Sequence, residues 1–417
     1  MDALFAALLL GAGDPRQAQE LLRRVPSLGG ESADSLERVG SWIADLYPVT
    51  GGYWGNLEPD RLAERFVGRR LMTGPGLADR LVRGAGPPQI ARLLSVWTRA
   101  ATHPPFQPEL ARSLTDLCVR HSSVLSAPAI DAATRAEQPG PLLDALRRLV
   151  DASGTSLSEL ERLSDRLPRR SSTLAGIAAR LSEVLTDRYR ESVPWHPEDL
   201  VPLARSLNTL AIRLREVGRR AEALPASAEA VRIRRDLAAA DPSTHLPDLA
   251  AGLNNLAVQL GEMGRREEAL TAITEAADLH RRLAEANPEA FLPDLAGTLN
   301  NLAVQLGEMG RREEALTAIT EAADLHRRLA EANPEAFLPD LAGTLNNLAV
   351  QLGEMGRREE ALTAITEAAD LHRRLAEANP EAFLPDLAGT LNNLAVQLGE
   401  MGRREEALTA ITEAADL

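Results

Sequence analysis

Asn255, Asn301, Asn347 and Asn393 stand 46 residues apart, and His280, His326 and His372 keep the same interval. Side chains able to do chemistry are thus distributed once per period rather than gathered at one point. An amide offers two donors and one acceptor. Inside a helix it costs roughly 0.5 kcal/mol relative to Ala, so each Asn invites a reason. One reason is an amide bonding to the adjacent repeat or simply to water. The histidines suggest zinc, but neighbouring periods hold them too far apart to share an ion whose ligand bonds are near 2 Å, about the length of a Zn–N bond. A packing or surface histidine is the expected role, and Arg234 takes its place in an earlier, divergent period. Pairs such as Glu267-Glu268 point apart on a helix, which makes them helix-start partners rather than catalytic carboxylates. Arg69-Arg70 and Arg169-Arg170 are isolated pairs, expected to be solvated.

All 46 basic residues are Arg; the sequence contains no Lys. A P-loop needs Lys on the β/γ-phosphates and Schiff-base catalysis needs a Lys amine, so both are excluded within this chain. Nucleophile-elbow, His-Glu-x-x-His and Cys-x-x-Cys motifs are also missing from the sequence. No catalytic residue, metal ligand or cofactor is assigned, and the expectation is a protein that is not an enzyme. Titration calorimetry with ATP and Mg²⁺ is expected to give no saturable heat; micromolar affinity would overturn that.

Cys118 is the single cysteine, which rules out an intrachain disulfide and fits a reducing cytoplasm. No stretch offers the roughly 18 uncharged apolar residues that span a bilayer, so no membrane partner is expected. The aromatic fraction is only 3%; Ala and Leu fill the core, which favours helices. Residues 1–199 carry 25 acidic and 24 basic side chains, whereas residues 200–417 carry 35 and 22. Phosphate backbones repel the second surface, so nucleic acid is not its expected partner.

The elements that position the periodic residues follow from the period. A 46-residue string occurs three times unchanged from Asn254, a fourth copy runs from Asn392 to Leu417, and a divergent copy covers Asn208 to Leu253. Each unit reads as two helices. Pro293 opens the first, and Leu295, Leu299, Leu302 and Leu306 form its apolar stripe. Gly310 stops it as a left-handed cap. Glu313 and Glu314 start a second, longer helix, with Ala315, Ile319, Ala322 and Leu329 on its buried face, and Asn333-Pro334 breaks it. Pro225 is expected to kink the second helix of the divergent copy. A lone hairpin of this kind exposes apolar surface and must stack, giving an α-solenoid. The last second helix stops at Leu417 without the Arg-Arg-Leu-Ala-Glu-Ala-Asn-Pro run that closes the others, so a longer native protein is expected.

The string NLAVQLGEMGRREEALTAITEAADL resembles the tetratricopeptide repeat, with Leu302, Ala303, Gly310, Ala315 and Ala322 at its signature positions. The unit is longer than the family's usual ~34 residues, and its LNNLA start resembles the extended repeats of kinesin light chains. The resemblance implies a protein or peptide ligand in a concave groove lined by the first helices. It also implies that Asn255, Asn301, Asn347 and Asn393 face that groove and bond the ligand backbone. Self-association is a further partner option.

Residues 1–125 read as one helical region and 126–192 as a helical connector, with degenerate repeats as the alternative reading of that connector, and the solenoid covers 193–417. Helical stretches are expected at Ala18–Val25, Ser35–Leu46, Gln89–Ala101, Glu109–His121, Leu142–Asp151 and Ser172–Arg190, and Val193-Pro194-Trp195-His196-Pro197 leads into the repeats. The segment Leu46 to Leu71 resembles the winged-helix stretch that follows the nucleotide-binding domain of bacterial STAND signalling ATPases. Leu46, Tyr47, Pro48, Trp54, Leu57, Pro59, Asp60, Glu64 and Val67 carry the match. In that family the ATPase comes first and a sensing repeat array comes last. The combined expectation is an all-α protein, winged-helix-like and helical before an α-solenoid, that recognises a protein or peptide as the sensor portion of a STAND-type switch. The alternative is a free-standing scaffold that assembles protein partners. A hydrolase built on the N-terminal region is the third class, and ATP turnover by purified protein would reveal it.

Overall fold

The computed structural model describes residues 1–49, 52–55, 60–74, 76–168, 171–192 and 200–417. The described residues are helical and contain no strand. Contacts divide the chain into one unit of residues 1–192 with 212–218 and another of residues 193–211 with 219–417.

The N-terminal unit is built from α1 (Asp2–Leu10), α2 (Pro15–Arg23), α3 (Ala33–Leu46), α4 (Asp60–Thr73), α5 (Gly76–Val82), α6 (Pro87–Ala100), α7 (Glu109–Arg120), α8 (Ser122–Arg135), α9 (Gly140–Asp151), α10 (Leu157–Arg166) and α11 (Ala175–Ser192). A single apolar cluster runs through it from Phe5 to Leu185, with Leu9, Leu93, Trp97 and Leu146 almost wholly buried. The six helices read from the sequence are all present. The short Leu4–Leu10 run is also a helix, α1, whose side chains from Phe5 to Leu10 are buried. In α4, a Cβ at Gly68 would lie 2.5 Å from the Phe106 ring, so only glycine permits that approach. Trp54 and Val67 are buried, and the Trp54 indole donates to the Gly40 carbonyl at 2.9 Å. Leu57 and Pro59 of the winged-helix resemblance, the 193–197 lead-in and Arg169-Arg170 lie outside the described residues. Arg70 is not free in solvent: its Nε donates to Asp2 at 2.9 Å.

The C-terminal unit is a stack of antiparallel hairpins. After α12 (Leu200–Glu216), which is divided between the two units, and α13 (Arg220–Ala240), they comprise α14 (Pro242–Glu262) with α15 (Arg266–Ala286), α16 (Pro288–Glu308) with α17 (Arg312–Ala332), α18 (Pro334–Glu354) with α19 (Arg358–Ala378), and α20 (Pro380–Glu400) with α21 (Arg404–Ala415). α15, α17 and α19 each pack on their own first helix and on the next one, as α15 does on α14 and α16, while α13 packs on α14 and α21 on α20. This consecutive packing makes the unit an α-solenoid.

The helix starts differ from the sequence reading. The first helix opens at Pro288, not at Pro293, which lies inside it. Asn287 is its N-cap, with Oδ1 accepting from the Ala290 N–H at 3.4 Å. Asn-Pro is therefore a start signal as much as a break: the amide caps the helix and proline fills the first position, where an N–H has no partner to lose. Pro293 sits in the second turn and forfeits only one bond, to the exposed Glu289 carbonyl. Both helices of the hairpin consequently have 21 residues, and the second is not longer. Pro225 likewise stands within the continuous helix α13.

Gly310 has φ +72°, the left-handed region. Its N–H reaches the Gly307 carbonyl at 2.8 Å and the Arg311 N–H reaches Leu306 at 2.9 Å, the paired bonds of a Schellman turn. In the core, Ala315, Ala318, Ile319, Ala322 and Ala323 face Leu299, Leu302 and Leu306, while Leu329 is only half-buried and Ala330 is buried instead. Alanine there lets helices approach closely while leucine fills the remaining space.

Candidate functional site

The four sequence-chosen asparagines fall on the first helices in one row, and each is half-buried. Asn301 Nδ2 donates to Asn254 Oδ1 at 3.0 Å, and Asn347 to Asn300 and Asn393 to Asn346 at the same distance. Asn255 reaches Asn208 at 3.5 Å. Each amide thus ties its repeat to the one before. The preceding member of each Asn-Asn pair, absent from the sequence selection, supplies the acceptor. One hydrogen of each bridging Nδ2 is spent, which leaves the second hydrogen and further oxygen lone pairs at a half-exposed surface.

That surface is an open hollow of about 480 Å³ between α18 and α20, lined by Gly343, Asn346, Asn347, Asp386, Gly389 and Asn393, among others. A Cβ on Gly297, Gly343 or Gly389 would meet nothing within 4 Å. By contrast, a Cβ at Gly261 would lie 2.6 Å from Gln305 Nε2, and the pairs Gly307–Gln351 and Gly353–Gln397 repeat the contact. Those glycines accommodate a buried glutamine. Its Oε1 has no hydrogen-bond partner in any of the three copies, and it lies over the glycine Cα–H, a weak donor.

The histidines are packing residues at the joints between hairpins. His280 Nδ1 lies 2.9 Å from Thr298 Oγ1, and His326–Thr344 and His372–Thr390 repeat that geometry. The rings are 2–4% exposed. Burial holds the three imidazoles below their ordinary pKa, partly opposed by Asp294, Asp340 and Asp386. At the divergent joint, Arg234 replaces the histidine and Gly252 replaces the threonine; a Cβ at position 252 would lie 2.7 Å from Arg234 Nη1. The larger cation fits because the facing side chain is missing.

Glu268 pairs with Arg265 at 2.6 Å on an exposed turn, which holds its carboxyl below the usual range. Neighbouring Glu267 is exposed and does not join it. Cys118 is buried, and burial pushes its thiol up to about 12, so it is not a thiolate at neutral pH. In the N-terminal unit, buried Glu64 is held by Arg99 Nε at 3.0 Å and His103 Nε2 at 2.8 Å, and Asp79 by Arg120 and His121. Among the described residues no helix is long and apolar enough to cross a membrane.

Residues 203–242, 249–289, 295–335 and 341–381 match the tetratricopeptide repeat family, so these four stretches are tetratricopeptide repeats. No curated protein matches the chain. Solved structures with similar helical stacking include BtubC from P. vanneervenii, 18% identical over 59% of this chain and 91% of that one, with a TM-score of 0.47. Aspartyl phosphate phosphatase F from Bacillus subtilis is 11% identical over 85% and 88%, with a TM-score of 0.45. A STAND protein with a tetratricopeptide repeat sensor from Pyrococcus horikoshii is 12% identical over 97% and 72%, with a TM-score of 0.38.

Proposed function

We propose that this chain is a recognition protein whose tetratricopeptide repeats hold an extended segment of a protein partner along the first helices, as the sensor portion of a STAND-type switch. The amide ladder carries the reading. Its unused donors and acceptors recur once per repeat beside an open hollow, a layout suited to successive peptide groups of an extended backbone. The resemblance of Leu46 to Leu71 supports the coupling of the N-terminal unit to a nucleotide-binding domain. Without that coupling the same groove serves a free-standing scaffold.

The test is to select displayed twelve-residue peptides on the full chain and then replace Asn301 and Asn347 together with Ala. Each change removes a bond worth about 0.5–1.5 kcal/mol to the ligand, so affinity should fall roughly 5- to 160-fold. The inter-repeat bonds are also lost, but Ala is the better helix former by roughly 0.5 kcal/mol, so the melting temperature should move little. A large drop in melting temperature with unchanged affinity would show that the ladder only ties repeats together.

A further inference from the structure

Asp248, Asp294, Asp340 and Asp386 are exposed, one on each of four successive first helices. Asp294 precedes Gly297 by three residues and Asn301 by seven, so all three share one face of the helix. Asp386 lines the same hollow as Asn347, Gly389 and Asn393. We infer that the segment held there is a cationic stretch of a protein partner, extended, with Lys or Arg at about every third residue. The inference rests on the binding reading above and names the ligand for that groove.

Charge pairing within the repeats sets these carboxylates apart. Three of the four arginines of a hairpin are engaged elsewhere, Arg265 with Glu268, Arg266 with Glu308, and Arg281 with Asp278 and Glu321, and the fourth, Arg282, lines a surface hollow with Glu275 and Asp278 of its own helix. Among the described residues none of the four aspartates has an ion-pair partner within 4.0 Å. Asp294 acts electrostatically on buried His280, whose pKa lies below its ordinary value, and Asp248 acts on buried Arg234. Adjacent packed helices are about 8–10 Å apart, close to the ~8 Å Debye length at physiological salt. From Asp294 to Asp386 the row therefore forms a negative strip without ion-paired cations, while Asp248 faces the charge of buried Arg234, and a matching row of cations is the complement of that strip. An extended chain rises about 3.3 Å per residue, so one hairpin corresponds to three ligand residues.

Gly297, Gly343 and Gly389 add an independent argument. Glycine inside a helix costs roughly 1 kcal/mol relative to Ala, and Ala251 occupies the equivalent place one hairpin earlier. Packing does not require the three glycines, since no atom lies within 4 Å of the missing Cβ. They leave room for a ligand backbone between the carboxylates and the amides. The strip also has an end, because the first hairpin carries Pro202 and Arg205 where the next has Asp248 and Ala251. The four aspartates present here span roughly ten residues of an extended ligand.

The experiment uses a displayed library of twelve-residue segments built from Ser, Gly, Lys, Arg, Asp and Glu, selected on the full chain and on the Asp294→Asn/Asp340→Asn/Asp386→Asn variant. Selection on the natural chain should enrich Lys and Arg at every third position. The winning peptide should bind the variant at least tenfold more weakly and lose affinity as salt rises. These changes are on exposed carboxylates, so circular dichroism should show an unaltered fold. Neutral or acidic winners that still depend on Asn301 and Asn347 would overturn the cationic ligand and leave the groove reading intact. Equal binding of a basic winner by both chains would overturn it too. Failure to enrich any segment would remove the groove reading and this inference together.

Discussion

Acidification from pH 7.5 to 5.5 is expected to lower the melting temperature of the solenoid by several degrees, before the carboxylates begin to titrate. His280, His326 and His372 are each buried at a joint between hairpins. Their folded pKa values lie below the 6.5 of a free histidine because burial disfavours the charged ring. Above pH 6.5 both the folded and unfolded chains hold these rings neutral, so stability is complete. As pH falls through 6.5 the unfolded chain takes up protons that the folded chain refuses, and stability drops until the folded rings protonate as well. Every tenfold disfavouring of the imidazolium is worth about 1.4 kcal/mol, and a 150–250-residue unit shifts by about 2–4 °C per kcal/mol. Three joints act together here. The depressed carboxyls of Glu268, Glu314 and Glu360 begin from 4.5 and Asp241 sits at about 2, so their losses come at lower pH. Replacing the three histidines with Asn, which keeps a donor toward threonine, should flatten the profile between 7.5 and 5.5. A parent melting temperature that stays constant across that range would refute the assignment.

Much of the solenoid was legible because its period forces one answer. A stripe at Leu295, Leu299, Leu302 and Leu306 followed by Gly310 permits a hairpin, and identical copies can only stack. Helix starts were less legible. Two prolines, Pro288 and Pro293, each carry a start signal, and only the Asn287 side chain bonded to Ala290 shows which one opens the helix. The amide row was found because Asn inside a helix is costly, but the role of Asn254, Asn300 and Asn346 as acceptors depends on the rotation of one repeat against the next. The aspartate strip had the same obstacle: Asp294 resembles any surface acid until Arg265, Arg266 and Arg281 are seen to pair with other carboxylates. In the N-terminal unit, α8 was obscured by the interior Pro128, and α1 by an apolar run with no polar face to mark its period.

The His–Thr joints carry the second large effect. Two solutions to one packing problem stand in the same chain, His280 against Thr298 and Arg234 against Gly252. They are expected to be interchangeable only as pairs. His280→Arg alone brings a larger, permanently charged group against the threonine side chain. Overpacking costs about 1–3 kcal/mol and an unmatched buried cation adds to it, so a loss of roughly 3 kcal/mol or more is expected. Thr298→Gly alone removes a bond worth about 1 kcal/mol and inserts a helical glycine costing roughly 1 kcal/mol. Combined, the two changes reproduce the geometry in which Arg234 Nη1 lies 2.7 Å from the absent Cβ of Gly252. Urea denaturation should then give a double variant about as stable as His280→Arg, where additive losses would make it about 2 kcal/mol less stable, so the coupling of about 2 kcal/mol falls within the range for directly touching residues. The double variant should also be less sensitive to acid than its parent, because one of the three titrating rings is gone and the guanidinium keeps its charge over the whole range. Additive losses in the cycle would mean that Arg234 and Gly252 are not a matched pair, and that the divergent joint is held by other contacts.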